Sequence, residues 1–285
     1  MARAPVKTSS KPGASKPGTA VQTQRGGALA TTDLMGEMQK DAGKGLAIGV
    51  QAYAIPFIGI LEPLSPQLVR TNPAYVKGSE QGQIINSVTG EIFEGADDKE
   101  GSGILVVPCA YQAKALEWKP DRGGLVQIHE ADTQLWSRTT QDENGRSRLP
   151  NGNSLVLTAH HYVLHLLEDG KIEQAVIAMS STRFKCSKKW NTLIAHMEMD
   201  TVNGPIVMPS FANVWRLQTQ AQQDGDKSWC IWTMHHEKQV DDIMIYRRGK
   251  TFSEAVLKGE IQAKPVEEGD GLSGARPSGN TGDHI

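Results

Sequence analysis

Arg183, Lys185, Lys188 and Lys189 place four cations within seven residues of the segment 181–191 (STRFKCSKKWN). Phe184 and Trp190 are interleaved with them. Single-stranded nucleic acid calls for this mixture. Cations neutralise phosphates, and aromatic faces stack on unpaired bases at about 1–3 kcal/mol per base. If residues 182–188 are extended, Arg183, Lys185 and Ser187 share one side, and Phe184 and Cys186 the other. The same pattern fits a surface strand whose aromatic side is core, so Phe184 and Trp190 stay open to either role. The candidate nucleic-acid-binding set is Arg183, Lys185, Lys188, Lys189, Trp190 and Asn191. A second cationic group, Arg247, Arg248 and Lys250, reads as the solvated side of a helix. Six tryptophans are present, and Trp118, Trp215 and Trp229 have a cation close by in sequence. Each suits stacking if exposed and packing if buried.

Other chemistries find less support. His161 and His165 are four apart, but their segment reads as strand, which puts them about 13 Å apart, too far for one ion. No metal, cofactor or catalytic residue is expected. Cys109, Cys186 and Cys230 are sparse and carry no local signature of a nucleophile. Gly43, Lys44, Gly45 and Gly49 do not make a phosphate-binding loop. Glu91, Glu94, Asp97, Asp98 and Glu100 read as a solvated acidic loop. Glu198, Asp200, Asp241 and Asp242 do not by their spacing force the carboxylate cluster that a nuclease needs. The expected activity is therefore binding rather than catalysis.

Thirty basic against thirty-two acidic residues give a formal net charge of −2. That excludes a protein whose affinity comes from bulk positive charge, so any anion site is local. Three dispersed cysteines argue against a disulfide framework and for a reducing compartment. The longest apolar run, at 52–61, is broken by Pro56, so no membrane contact is expected.

The elements that position these residues read mostly as strands. Expected strands cover 55–61, 104–111, 154–167, 172–179, 211–219 and 228–235, with a small hairpin over 83–93 turning at Thr89-Gly90. Pro108 predicts an edge or a bulge in the second of these. Residues 220–227 read as a hydrophilic loop. Short helices are expected at 31–43, capped by Thr31 or Thr32, at 190–199, and at 241–258, ended by Gly259. Residues 1–30 read as a basic disordered tail and 263–285 as a weakly acidic one, flanking a single β-rich domain at 31–262. The fold class is mainly β, with α+β as the variant: an OB-like barrel or open antiparallel sheet with one or two helices.

The stretches ILVVPCAY (104–111), LPNGN (149–153) and AVIAMSSTRFKCSKKWN (175–191) resemble a family of tailed-bacteriophage proteins of replication and recombination regions. The resemblance runs over most of 50–260. The string KKWNT at 188–192 is also similar to a Lys-Trp-Asn-Thr string in single-stranded DNA-binding proteins of short-tailed phages. Those have an OB-type barrel and an acidic C-terminal tail. This likeness implies contact roles for Lys189, Trp190, Asn191 and Thr192. The chain departs from that pattern in its weakly acidic tail and in ending at Ile285 rather than an aromatic residue. The expectation is a homo-oligomeric protein of the host bacterial cytoplasm that coats single-stranded DNA and meets phage replication or recombination proteins. The alternative is a β-rich virion or assembly protein.

Overall fold

A computed structural model describes residues 29–41, 44–45, 54–120 and 124–263. Apart from residues 29, 30 and 263, the two expected tails lie outside the described residues, as do Asp121–Gly123. The chain divides into two units, 1–48 and 49–285. The first contributes helix α1 (Leu29–Lys40). It begins before Thr31 and Thr32, so neither caps it, and Leu34, Met35 and Met38 are exposed.

The second unit is mainly β. It runs β1 (Phe57–Ile60), β2 (Ile84–Asn86), β3 (Ile92–Phe93), β4 (Ile104–Trp118), β5 (Leu125–Glu130), β6 (Thr140–Gln141), β7 (Ser147–Arg148), β8 (Ser154–Leu166) and β9 (Ile172–Ser180). Then follow α2 (Thr182–Ala195), β10 (Glu198–Thr201), β11 (Gly204–Val207), β12 (Asn213–Asp224), β13 (Lys227–Gln239) and α3 (Ile243–Leu257). The strand order is β13-β12-β4-β8-β9-β1-β2-β3, a curled, open half-barrel, consistent with the OB-like open sheet expected. Most of its pairs are antiparallel, but β1 lies parallel to β9.

The long β4–β8 pair is the spine of the sheet. Pro108 has no N–H to give to the ladder, and the register slips between Pro108 and Ala110. The strand does not stop at Tyr111 but continues to Trp118. The other edge of β4 forks around this bulge. Ile104–Val106 pair with β12, whereas Lys114–Trp118 pair with β5.

Alternate residues of the central strands enter two cores. Ile58, Val106, Ala159, Val163, Ile177 and Leu217 face α2, and Val107, Tyr162, Leu164 and Val176 face α3. A sheet covered on both sides explains the unbroken apolar run at 104–107. The N-terminus of α3 is capped by Asp242, which accepts from the Met244 N–H at 2.7 Å.

The curl brings the chain beyond β3 back to β12. Thr219 N–H donates to Gly95 O at 2.6 Å, Asp97 N–H donates to Thr219 O at 3.0 Å, and the Thr219 hydroxyl donates to Gly82 O at 2.6 Å. A Cβ at residue 95 would sit 2.4 Å from Gly82 O, so only glycine permits this closure. The expected loop at 220–227 is instead strand, closed by the two-residue turn Gly225-Asp226. Its glutamines read as loop because no core lies beneath this end, yet the backbone ladder needs none. Gly225, at φ +56, supplies the turn geometry.

Three histidines of β8 are buried: His160, His161 and His165. Burial holds them down to about 4, about 3 and about 4, against an unfolded value near 6.5, with neighbouring charge adding to it at His160 and His161. Above about pH 6.5 they are neutral in both states and add no pH dependence. Below it the unfolded chain takes up protons that the folded chain refuses, so stability falls down to about pH 4. Each contributes up to about 1.4 kcal/mol per pH unit in that window. Urea midpoints measured from about pH 7 to about pH 5 should decline. His165→Gln should make the decline shallower, and a flat wild-type profile would contradict the assignment.

Candidate nucleic-acid interface

The cationic segment is not extended; it is helix α2. After β9 the chain reverses at Ser181, with φ 51 and ψ −125, which is the one positive-φ non-glycine among the described residues. From Thr182 the sequence has neither Gly nor Pro before Met197, and Phe184, Trp190 and Ile194 pack inward with Ser187 at helical spacing. The expected helix at 190–199 is the second half of this element, and it ends at Ala195.

This folding splits the predicted set. Lys185, Lys188 and Lys189 are exposed together on the outer side of α2, at the i, i+3 and i+4 spacing of one helix face. Lys188 Nζ stands 5.4 Å from the centre of the Phe184 ring. Asn191 is half-buried beside them.

Trp190, in contrast, is 0% exposed. It lies 4.7 Å from His161 and 6.3 Å from Trp215, ring centre to ring centre, while Ser187 Oγ meets His161 Nε2 at 2.8 Å. A base cannot reach that ring, so its expected stacking role is corrected to packing.

Arg183 also turns inward. Its guanidinium pairs with Glu62, and its Nε–H donates to Cys230 O at 2.9 Å. Burial pulls Arg183 down to about 10, so it remains charged at neutral pH. The expected phosphate contact is corrected to a structural ion pair, because its hydrogen-bonding capacity is directed at the edge of β13.

Sequence reasoning did not assemble a second feature. A cleft of about 250 Å³ opens beside the start of α2, lined by Ser181 and Phe184, by Trp136, by Gly145–Ser147 and by residues 154–157 of β8. Trp136 is anchored by its Nε1–H, which donates to Ala131 O at 2.8 Å. The turn that carries Arg146 is braced by Asp142. Asp142 Oδ1 accepts from the Asn144 and Arg146 amides at 2.9 Å each, and its Oδ2 accepts from Arg148 Nε at 3.0 Å. Burial pushes the Asp142 carboxyl up, but these partners more than offset that and hold it below the ordinary range.

The LPNGN stretch is a latch behind the turn. Asn153 and Asn151 donate to Glu117 Oε1 at 2.6 and 3.3 Å, and His129 Nε2 meets Glu117 Oε2 at 2.9 Å. The Asn153 amide is the main reason that the Glu117 carboxyl sits below the ordinary carboxylate range, and it acts against burial.

A family model described as Pam3 phage gp34-like protein matches residues 24–262. The chain belongs to the Pam3 phage gp34-like family. The matched span takes in α1, the whole curled sheet, the lysine face of α2 and the cleft. It agrees with the phage resemblance carried by residues 104–111, 149–153 and 175–191. No curated protein and no solved structure matches the chain. Among the described residues, no helix of this family member is long and apolar enough to cross a membrane.

The split of α2 into an inner and an outer side is open to mutation. Trp190→Ala should lower unfolding stability by about 3–5 kcal/mol through the cavity it leaves. Arg183→Met should lower it by about 3 kcal/mol, the low end for a broken buried pair, because Glu62 keeps some solvent contact. Chemical denaturation measures both, and an unchanged midpoint in either variant would contradict the role given to that residue.

Proposed function

We propose that this phage protein binds single-stranded DNA without strong sequence preference and coats it during replication or recombination in the host cytoplasm. The observation that carries the reading is the row Lys185, Lys188 and Lys189, exposed on one side of a helix whose other side is fixed in the core. With a net charge of −2, binding to an anionic strand would come from a local row such as this one. Phe184, half-buried against the core and next to Lys188, borders the cleft with the part of its ring left open. Of residues 188–192, similar to a string in single-stranded DNA-binding proteins, Lys188, Lys189 and Thr192 are exposed and Trp190 is not; these three and the curled OB-like sheet support the same reading. Binding would be electrostatic and would weaken with salt, by about 0.7 in log affinity per log salt for each phosphate neutralised.

A second reading, a virion or assembly component, draws on the β10–β11 hairpin. Among the described residues it pairs with no other strand, and Met199, Val202, Ile206 and Val207 are exposed on it. That surface would favour oligomerisation or docking to another phage protein.

Fluorescence anisotropy of labelled oligo-dT, with a duplex of equal length as control, separates the two. Tight, salt-sensitive binding to the single strand is expected. Lys188→Ala with Lys189→Ala should weaken it and reduce the salt slope by about 1.4. No binding at low salt, with stable higher-order association in light scattering, would favour the assembly reading.

A further inference from the structure

We infer that the cleft at the start of α2 is a nucleotide subsite, which takes one base and its phosphate from the bound strand. The inference rests on the single-strand reading above and assigns the part of the interface that the lysine row does not supply.

The cleft's chemistry matches that ligand. Trp136 and Phe184 give it aromatic walls, and Arg146 gives it a cation. The Arg146 Nε is buried and has no hydrogen-bond partner among the described residues. A buried donor without an acceptor is costly, and a phosphate oxygen would satisfy it. Glu143, the nearest acid in sequence, does not line the cleft, and Asp142 cannot fill that role. Both Asp142 oxygens are engaged by main-chain amides and Arg148, and no acidic residue lines the cleft. Arg148 is engaged too, by Asp142 and by the Ser154 hydroxyl at 2.7 Å.

Helix α2 adds to this. Its first turn holds no acidic residue, and Ser181 makes no side-chain cap, so its positive end stands uncompensated beside the cleft.

Phe184 belongs both to the cleft and to the lysine row, through Lys188. A strand running along α2 past Lys188 therefore reaches the cleft at Phe184. The row supplies charge, and the cleft supplies a seat for a base.

The test uses the full chain and oligo-dT carrying 5-iododeoxyuridine. Ultraviolet crosslinking followed by peptide mapping should place the adduct on Trp136 or Phe184. Arg146→Gln should weaken oligo-dT binding about tenfold, the loss of one charge-assisted hydrogen bond. Arg146→Lys should recover part of that loss. Arg146→Gln should not lower the melting temperature, since among the described residues Nε makes no bond in the free protein. Adducts confined to other peptides, with affinity unchanged in Arg146→Gln, would overturn the subsite and leave single-strand binding standing. No binding of oligo-dT by the wild type would overturn the functional reading itself.

Discussion

The ion pair between Arg183 and Glu62 ties together three parts of the chain that are remote in sequence. Glu62 follows β1, Arg183 sits in the first turn of α2, and both reach Cys230 on β13. Arg183 donates to the Cys230 carbonyl, and the Cys230 amide donates to Glu62 at 3.5 Å. A strand edge left open would offer its main-chain groups to another chain. Here a charged pair occupies part of that edge. Two apolar residues in these positions could pack but could not satisfy the edge groups, so the pair contributes position as well as energy. It sets where α2 begins, and therefore where the lysines point.

Two cores depend on the placement so obtained. One lies between the sheet and α2, centred on Trp190, and the other between the sheet and α3, centred on Phe252 and Tyr162. Period-two alternation along β8 sends His161 to the first and His160 to the second. Neither imidazole is charged at neutral pH, because no water reaches it. The polar groups of the first core are partly answered by one another, as Ser187 and His161 show.

Much of this architecture was legible in the sequence. The hairpin at 154–180, the small hairpin at 83–93, the bulge at Pro108 and the last helix follow from alternation, turn residues and missing amide hydrogens, which are local causes. The conformation of 182–189 was not legible. Alternating charged and apolar residues there imitate a strand, and only the pocket waiting for Trp190 makes helix the better solution. Arg183 and Trp190 looked like ligand contacts because burial is a property of the whole fold. The three lysines were visible as charges but not as a row, because the extended reading set Lys185 with Arg183 and Ser187. The cleft was hidden for a different reason: Phe184 lies far along the chain from Trp136 and Arg146, and the pairing of β7 and β9 with β8 brings them together.

The missing amide hydrogen at Pro108 has a mechanical reading. By forking the outer edge of β4, it divides the sheet into two leaves on one spine. One leaf carries β12 and β13 with the Arg183 anchorage; the other carries β5 and the end of β8 that walls the cleft. Helix α2 is pinned to the first leaf by Arg183 and borders the second through Phe184 and Ser181. A tilt of one leaf against the other would therefore reach the cleft through α2.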